Sequence, residues 1–131
     1  MDVQEFRSKR WFRLLLEDDE SLKASIRDAS RERGIGFGWI QVVGEIKDPK
    51  LASGYRLEEN GDTPEKIMVE PGESHHVLGV GSVRKSGDGR EVHLHGPMGR
   101  DGETTTGCWA GDQSVFKGLE VVLVELESVE D

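Results

Sequence analysis

The spacing of apolar positions changes period once along the chain. Trp11-Phe12-Arg13-Leu14-Leu15-Leu16 is a short apolar run with the length of a strand. The acidic cluster Glu17-Asp18-Asp19-Glu20 follows, and it predicts caps and favourable charge for a helix N-terminus. Leu22, Ile26, Ala29 and Arg33 then recur at helical steps with charged residues between them, which predicts a one-sided amphipathic helix. Gly34 suits the left-handed position that ends it.

Beyond the helix the pattern is strand and turn. Gly38 to Val43, Leu51 to Leu57 and Lys66 to Val69 are strand candidates. His76 to Val83 and Glu91 to His95 flank a glycine-rich turn, a hairpin signal that sets position 82 opposite 93 and position 80 opposite 95. Thr104 to Trp109 is β-branched, and Glu120 to Leu126 closes the series with a strongly apolar strand. One helix against many strands predicts an α+β fold, with the helix packed on a curved, mostly antiparallel β-sheet. The Gly34-Ile35-Gly36-Phe37-Gly38 run leaves a helix and enters a strand, the reverse of a phosphate-binding loop, and reads as a structural turn.

A length of 131 residues predicts a single domain, set at 11–128 behind a flexible N-terminal segment at 1–10. The 26 acidic against 17 basic residues give a net charge of −9, a sign that repels phosphate backbones and anionic lipid. Hydrophobic residues make up only 34%, a thin supply for a monomer core that burial in an oligomer would offset. Residues 1–13 lack the apolar run of a signal peptide, and no stretch approaches the roughly 20 apolar residues of a membrane span. A lone cysteine, Cys108, excludes an internal disulfide, so the expected setting is cytoplasmic, away from membranes.

Candidate chemistry gathers at His93-Leu94-His95. Residues two apart on a strand share a face, so the two imidazoles project together, as a pair of zinc ligands would. Cys108 lies in the next strand-like segment, and the turn at 96–102 can fold it back beside the histidines. Two readings of Cys108 stand at this point, a third metal ligand or a small buried hydrophobe. His75-His76 is a second pair, with His76 expected on the face of His93 and His95 but further along. Glu120 and Glu125 read as solvated strand ends, and Arg100-Asp101 as a surface turn. No serine sits in a nucleophile elbow, so no catalytic residue is assigned.

Together these segments resemble the plant and prokaryote conserved (PPC) domain family. The resemblance rests on Arg33-Gly34-Ile35, Gly38-Trp39, the Gly44–Tyr55 stretch, Val77 to Val83, His93-Leu94-His95-Gly96, Gly99-Arg100, Thr106-Gly107-Cys108 and Glu120-Val121-Val122. It is similar to the microbial branch with Thr-Gly-Cys in place of Gly-Gly-His, which puts Cys108 where other members carry a metal-binding histidine. The resemblance implies a homotrimer and a DNA-associated or regulatory binding module that meets proteins or a small ligand. In plants the domain accompanies AT-hooks, but this chain has no Arg-Gly-Arg-Pro core, and its basic segment from Arg84 to Arg90 includes an aspartate and no proline. Direct DNA binding is therefore not expected. The alternative function is a zinc-dependent enzyme or metabolite binder using His93, His95 and Cys108.

Overall fold

Eight strand segments, with two-residue alternation clearest in Phe37–Ile46 and His75–Ser86, each find a partner in the computed structural model, which describes residues 1–57 and 63–129. The elements run β1 (Phe6–Glu17), α1 (Leu22–Glu32), β2 (Phe37–Ile46), β3 (Leu51–Arg56), β4 (Glu65–Val69), β5 (His75–Ser86), β6 (Gly89–Arg100), β7 (Glu103–Trp109) and β8 (Val115–Ser128). They form one sheet in the order β1-β8-β2-β5-β6-β7-β3-β4, with each strand antiparallel to its neighbours. The predicted mostly antiparallel sheet with one helix is thus present, as an open sheet whose edges are β1 and β4. β1 starts at Phe6, so the last part of the 1–10 segment pairs with β8.

Hairpin chemistry fixes the register at the centre. β5 returns through Gly87-Asp88 into β6, with Gly87 in the left-handed region at φ 61°. β6 runs on to Arg100, so the turn expected over 96–102 shrinks to Asp101-Gly102. Both of those residues have positive φ, 54° and 78°, as a type I′ turn requires.

One face of the sheet is the core. Val77 and Val83 of β5, Leu94 and Met98 of β6, Trp109 of β7 and Leu123 of β8 are buried there with Leu22 and Ile26 of α1. The Trp109 ring lies over Gly79, where a Cβ would come within 2.5 Å of it, and its Nε1 donates to the Gly96 carbonyl at 3.1 Å. Residue types with small or no side chains on β5 therefore make room for the largest side chain in the core.

The helix begins and ends where the sequence indicates, but its cap comes from elsewhere. Ser21 makes no side-chain capping bond, and the first turn has no acidic residue. Asp112, from the β7–β8 connection, takes that role: Oδ1 accepts the Lys23 N–H at 2.7 Å and Oδ2 the Ala24 N–H at 3.0 Å. The acidic run expected to cap the helix is occupied otherwise. Asp18 accepts the Lys117 N–H at 2.8 Å, which holds its carboxyl below the usual range, and Glu20 accepts the Glu17 N–H at 2.9 Å. The buried face of α1 also includes Lys23 and Ser30, while Arg33 is exposed beyond its end. Asp112→Ala is expected to lower stability by about 1–2 kcal/mol, with Asp112→Asn retaining part of it, because the single amide oxygen can still accept one of the two helix N–H groups while its NH2 cannot accept the other. Urea denaturation of the two variants measures this.

Glu125 also departs from the expected solvated end. It is buried on β8, where Arg10 Nε donates to Oε1 at 2.5 Å and Arg10 Nη2 to Oε2 at 3.2 Å. Arg10 Nη2 donates as well to the Arg33 carbonyl at 2.7 Å, tying β1 to the end of α1. Glu120 keeps to the expected pattern, half-exposed and paired with Arg13. The Arg10 hydrogen bonds hold the Glu125 carboxyl below its usual pKa. A carboxyl lowered on folding stabilises the native state above its unfolded pKa, and that contribution is lost as pH falls through the folded value. Glu125→Gln is therefore expected to be least stable relative to wild type at neutral pH, with the gap closing below about pH 4. Chemical denaturation across pH reads the gap directly.

Candidate metal centre

The face opposite the core presents the histidines, and the sheet register explains why. Trp39, Ser82 and His93 stand in one row across β2, β5 and β6, and Gln41, Val80, His95 and Cys108 in the next row, which reaches β7. His95 is directly opposite Cys108, and His93 follows two residues earlier on the same face. Leu94, between them, is fully buried in the core. The positions set by the hairpin argument, 82 against 93 and 80 against 95, are those of the structure.

The three donors converge. His93 Nε2 and His95 Nε2 are 2.5 Å apart with ring centroids at 4.5 Å, Cys108 Sγ is 3.9 Å from His93 Nε2, and all three ligand atoms lie within 4.8 Å of one another. Two nitrogens on a tetrahedral zinc at 2.0–2.1 Å are about 3.3 Å apart, so the imidazoles need only open by under about 1 Å to share an ion. Both histidines are exposed and Cys108 is half-buried, leaving one side of the cluster open. Two imidazoles and one thiol form a borderline-soft set that suits zinc.

The helix supplies the electrostatic surroundings. β7 pairs with β6 only from His95 to Arg100, and the earlier part of β6 pairs with β5 alone, with α1 packed against it. Lys23 comes to the cluster in this way. It is nearly buried, its Nζ donates to the Trp109 carbonyl at 2.6 Å, and burial lowers its pKa against the opposing pull of Cys108 and Asp112. His93 is likewise held below its usual pKa, first by burial and then by His95, Lys23 and Arg84. Its neutral form, the one that can bind a metal, is favoured.

His75 and His76 do not join. His76 shares the face but pairs with Gly99, with Nδ1 3.6 Å from Glu45 Oε1. His75 is buried, its Nδ1 3.2 Å from the Glu73 carbonyl. Arg100 bridges locally to Glu73 at 2.8 Å and to the Ser74 carbonyl at 3.0 Å, as a surface turn residue. Lys23 and Arg27 were the residues that sequence reasoning missed. They are one helical turn apart, and their spacing was the available signal.

The model of the Plants and Prokaryotes Conserved (PCC) domain matches residues 3–127. Among solved structures, a metal-containing protein from Archaeoglobus fulgidus is 26% identical with a TM-score of 0.82, covering 98% of this chain and 87% of its own. A plant- and prokaryote-conserved protein from Pyrococcus horikoshii is also 26% identical, with a TM-score of 0.80 over 97% and 85% of the two chains. A candidate DNA-binding protein from Bacteroides thetaiotaomicron, at 16% identity and TM-score 0.70 over 92% and 83%, shares the fold. A comparison with curated proteins gives no match. Sheet, helix and the His93–His95–Cys108 cluster all fall within the matched residues, and the chain belongs to the Plants and Prokaryotes Conserved domain family.

Proposed function

We propose that the chain is a zinc-binding module of this family, assembled as a homotrimer, that presents the open side of its metal centre to a small ligand or a protein partner. The observation that carries this reading is the convergence of His93, His95 and Cys108 within 4.8 Å on one sheet face. The metal-containing protein from A. fulgidus, whose fold is similar, supports it. When bound, zinc supplies a Lewis acid beside the exposed imidazoles. A lone thiol serving as a ligand suits the reducing cytoplasm. No helix among the described residues is long and apolar enough to cross a membrane.

Trimer assembly is supported by the same face. Trp11 is 67% exposed, Leu15 63%, Leu78 59% and Val43 54%, with Trp39 and Val80 beside them. Such a contiguous apolar surface is costly in water and fits burial against copies of the chain.

A second reading, a DNA-associated module, draws on the name of the B. thetaiotaomicron neighbour. The charge of −9 opposes attraction to generic duplex. Zinc analysis and light scattering on the same preparation test the proposal. One zinc per chain and a native mass three times the 14.6 kDa chain are expected. A monomer holding well under one zinc per three chains would overturn it, and sub-micromolar duplex binding with a steep salt slope would restore the DNA reading.

A further inference from the structure

Beside His93 the surface sinks into an open depression of about 690 Å³, within the range that receives small ligands. Arg27 of α1, Ser82 and Arg84 of β5, and Arg90, Glu91 and His93 of β6 line it. We infer that this depression is an oxyanion site that takes the phosphate group of a small phosphorylated ligand next to the metal centre. The inference deepens the metal-module reading and rests on it for the ligand's second anchor.

Three guanidinium groups face one carboxylate here, in a chain with nine more acidic than basic residues. Among the described residues, neither Arg84 nor Arg90 has an ion-pair partner. Arg84 lies over the Phe37 ring, its guanidinium carbon 5.4 Å from the ring centre, a contact that leaves the N–H edge of the group available. Arg90 is fixed by its backbone-directed bonds, Nε to the Ile35 carbonyl at 2.6 Å and Nη1 to the Gly89 carbonyl at 3.0 Å. That leaves Nη2 oriented and without a carboxylate. Arg27 Nη2 stands 3.7 Å from Asp112 Oδ2, beyond a hydrogen bond, and Asp112 already accepts the N–H groups that start the helix. Glu91 is opposite Arg84 in the β5–β6 register yet forms no ion pair with it among the described residues.

Arg27 is thus matched by Asp112, and Arg84 and Arg90 remain as the two guanidinium groups of this wall without an ion-pair partner among the described residues, a pair that suits a phosphate monoester dianion. Guanidinium forks bind such oxygens through paired N–H donors, and the Ser82 hydroxyl on the same wall adds a further donor. A single carboxylate would leave part of that charge unmatched. A DNA duplex presents its phosphates along an extended backbone, which a depression of this size does not follow.

Calorimetric titration of the zinc-loaded trimer with inorganic phosphate, acetate and a short DNA duplex tests the inference, with zinc content measured on each sample. Saturable phosphate binding is expected, reduced by about tenfold or more in Arg84→Gln and again in Arg90→Gln, with zinc content unchanged. Arg84→Gln is the cleaner variant, since Arg90 also braces the chain at Ile35. Phosphate binding that is absent, or equal in wild type and Arg84→Gln, overturns the site while zinc retention leaves the metal reading intact. Acetate binding as tight as phosphate, or duplex binding without phosphate binding, overturns the assignment to phosphate. Phosphate bound in Arg84-dependent fashion by a protein that holds no zinc supports the oxyanion site and sinks the metal reading alone.

Discussion

His95→Ala is expected to abolish stoichiometric zinc binding, the largest functional effect of any single side chain here. His95 stands at the centre of the donor set, directly across from Cys108 and 2.5 Å from His93 at the Nε2 atoms. Its loss leaves an imidazole and a thiol on different strands, too few to hold an ion against solvent. The fall in affinity should exceed the roughly 10–100-fold that follows loss of a group merely supporting a ligand. Cys108→Ser should also weaken binding sharply, because a serine hydroxyl stays protonated where a thiol ionises on coordination. The alternative role of Cys108, a small buried hydrophobe, makes a different forecast: a modest loss of stability and no change in zinc. Cys108 is half-buried and faces the histidines across the strand pair, which favours the ligand. Elemental analysis of both variants, with competition against a chromophoric chelator, decides between them. Unchanged zinc in either variant would remove that residue from the centre.

The His93–His95–Cys108 cluster was legible because every step toward it is local. The glycine-rich turn between two alternating runs sets the β5–β6 register, the two-residue period puts His93 and His95 on one face, and a second tight turn returns Cys108 to their side. The surroundings were not legible for the opposite reason. Periodicity reports which face a residue occupies and leaves open which element lies beside it. Asp112 caps the helix through Lys23, 89 residues earlier in the chain, and nothing local marks it. The acidic run before α1 has the right composition for a cap, yet its carboxylates meet Lys47, Lys117 and the turn itself. Glu125 reads as a strand end until β1 is known to run beside β8 and bring Arg10 to it. Lys23 and Arg27 read as the polar side of a surface helix. They acquire a role only because β7 parts from β6 at His95 and α1 fills the space.

That crowded crossing of β5 and β6 carries the largest expected effect on the fold. A Cβ added at Gly81 would fall 1.7 Å from the His93 carbonyl oxygen and 2.8 Å from its carbonyl carbon, so backbone rather than a flexible side chain blocks it. Gly81→Ala therefore has to push β6 away from β5, breaking ladder bonds at the centre of the sheet. A loss of about 3 kcal/mol is expected, the upper end for overpacking, because the obstacle cannot rotate aside. Gly36→Ala is the control: nothing stands within 4 Å of its Cβ and its φ lies outside the left-handed region, so stability should change by under about 0.5 kcal/mol. The obstructed carbonyl belongs to a proposed zinc ligand, so the same substitution also displaces His93 from His95. Zinc affinity should fall in Gly81→Ala even under conditions where the variant remains folded, and stay at the wild-type level in Gly36→Ala. Urea denaturation and chelator competition on the pair separate the two effects. Equal behaviour of the two variants in both measurements would show that β6 has room to yield and that its closeness to Gly81 does not hold the imidazoles in place.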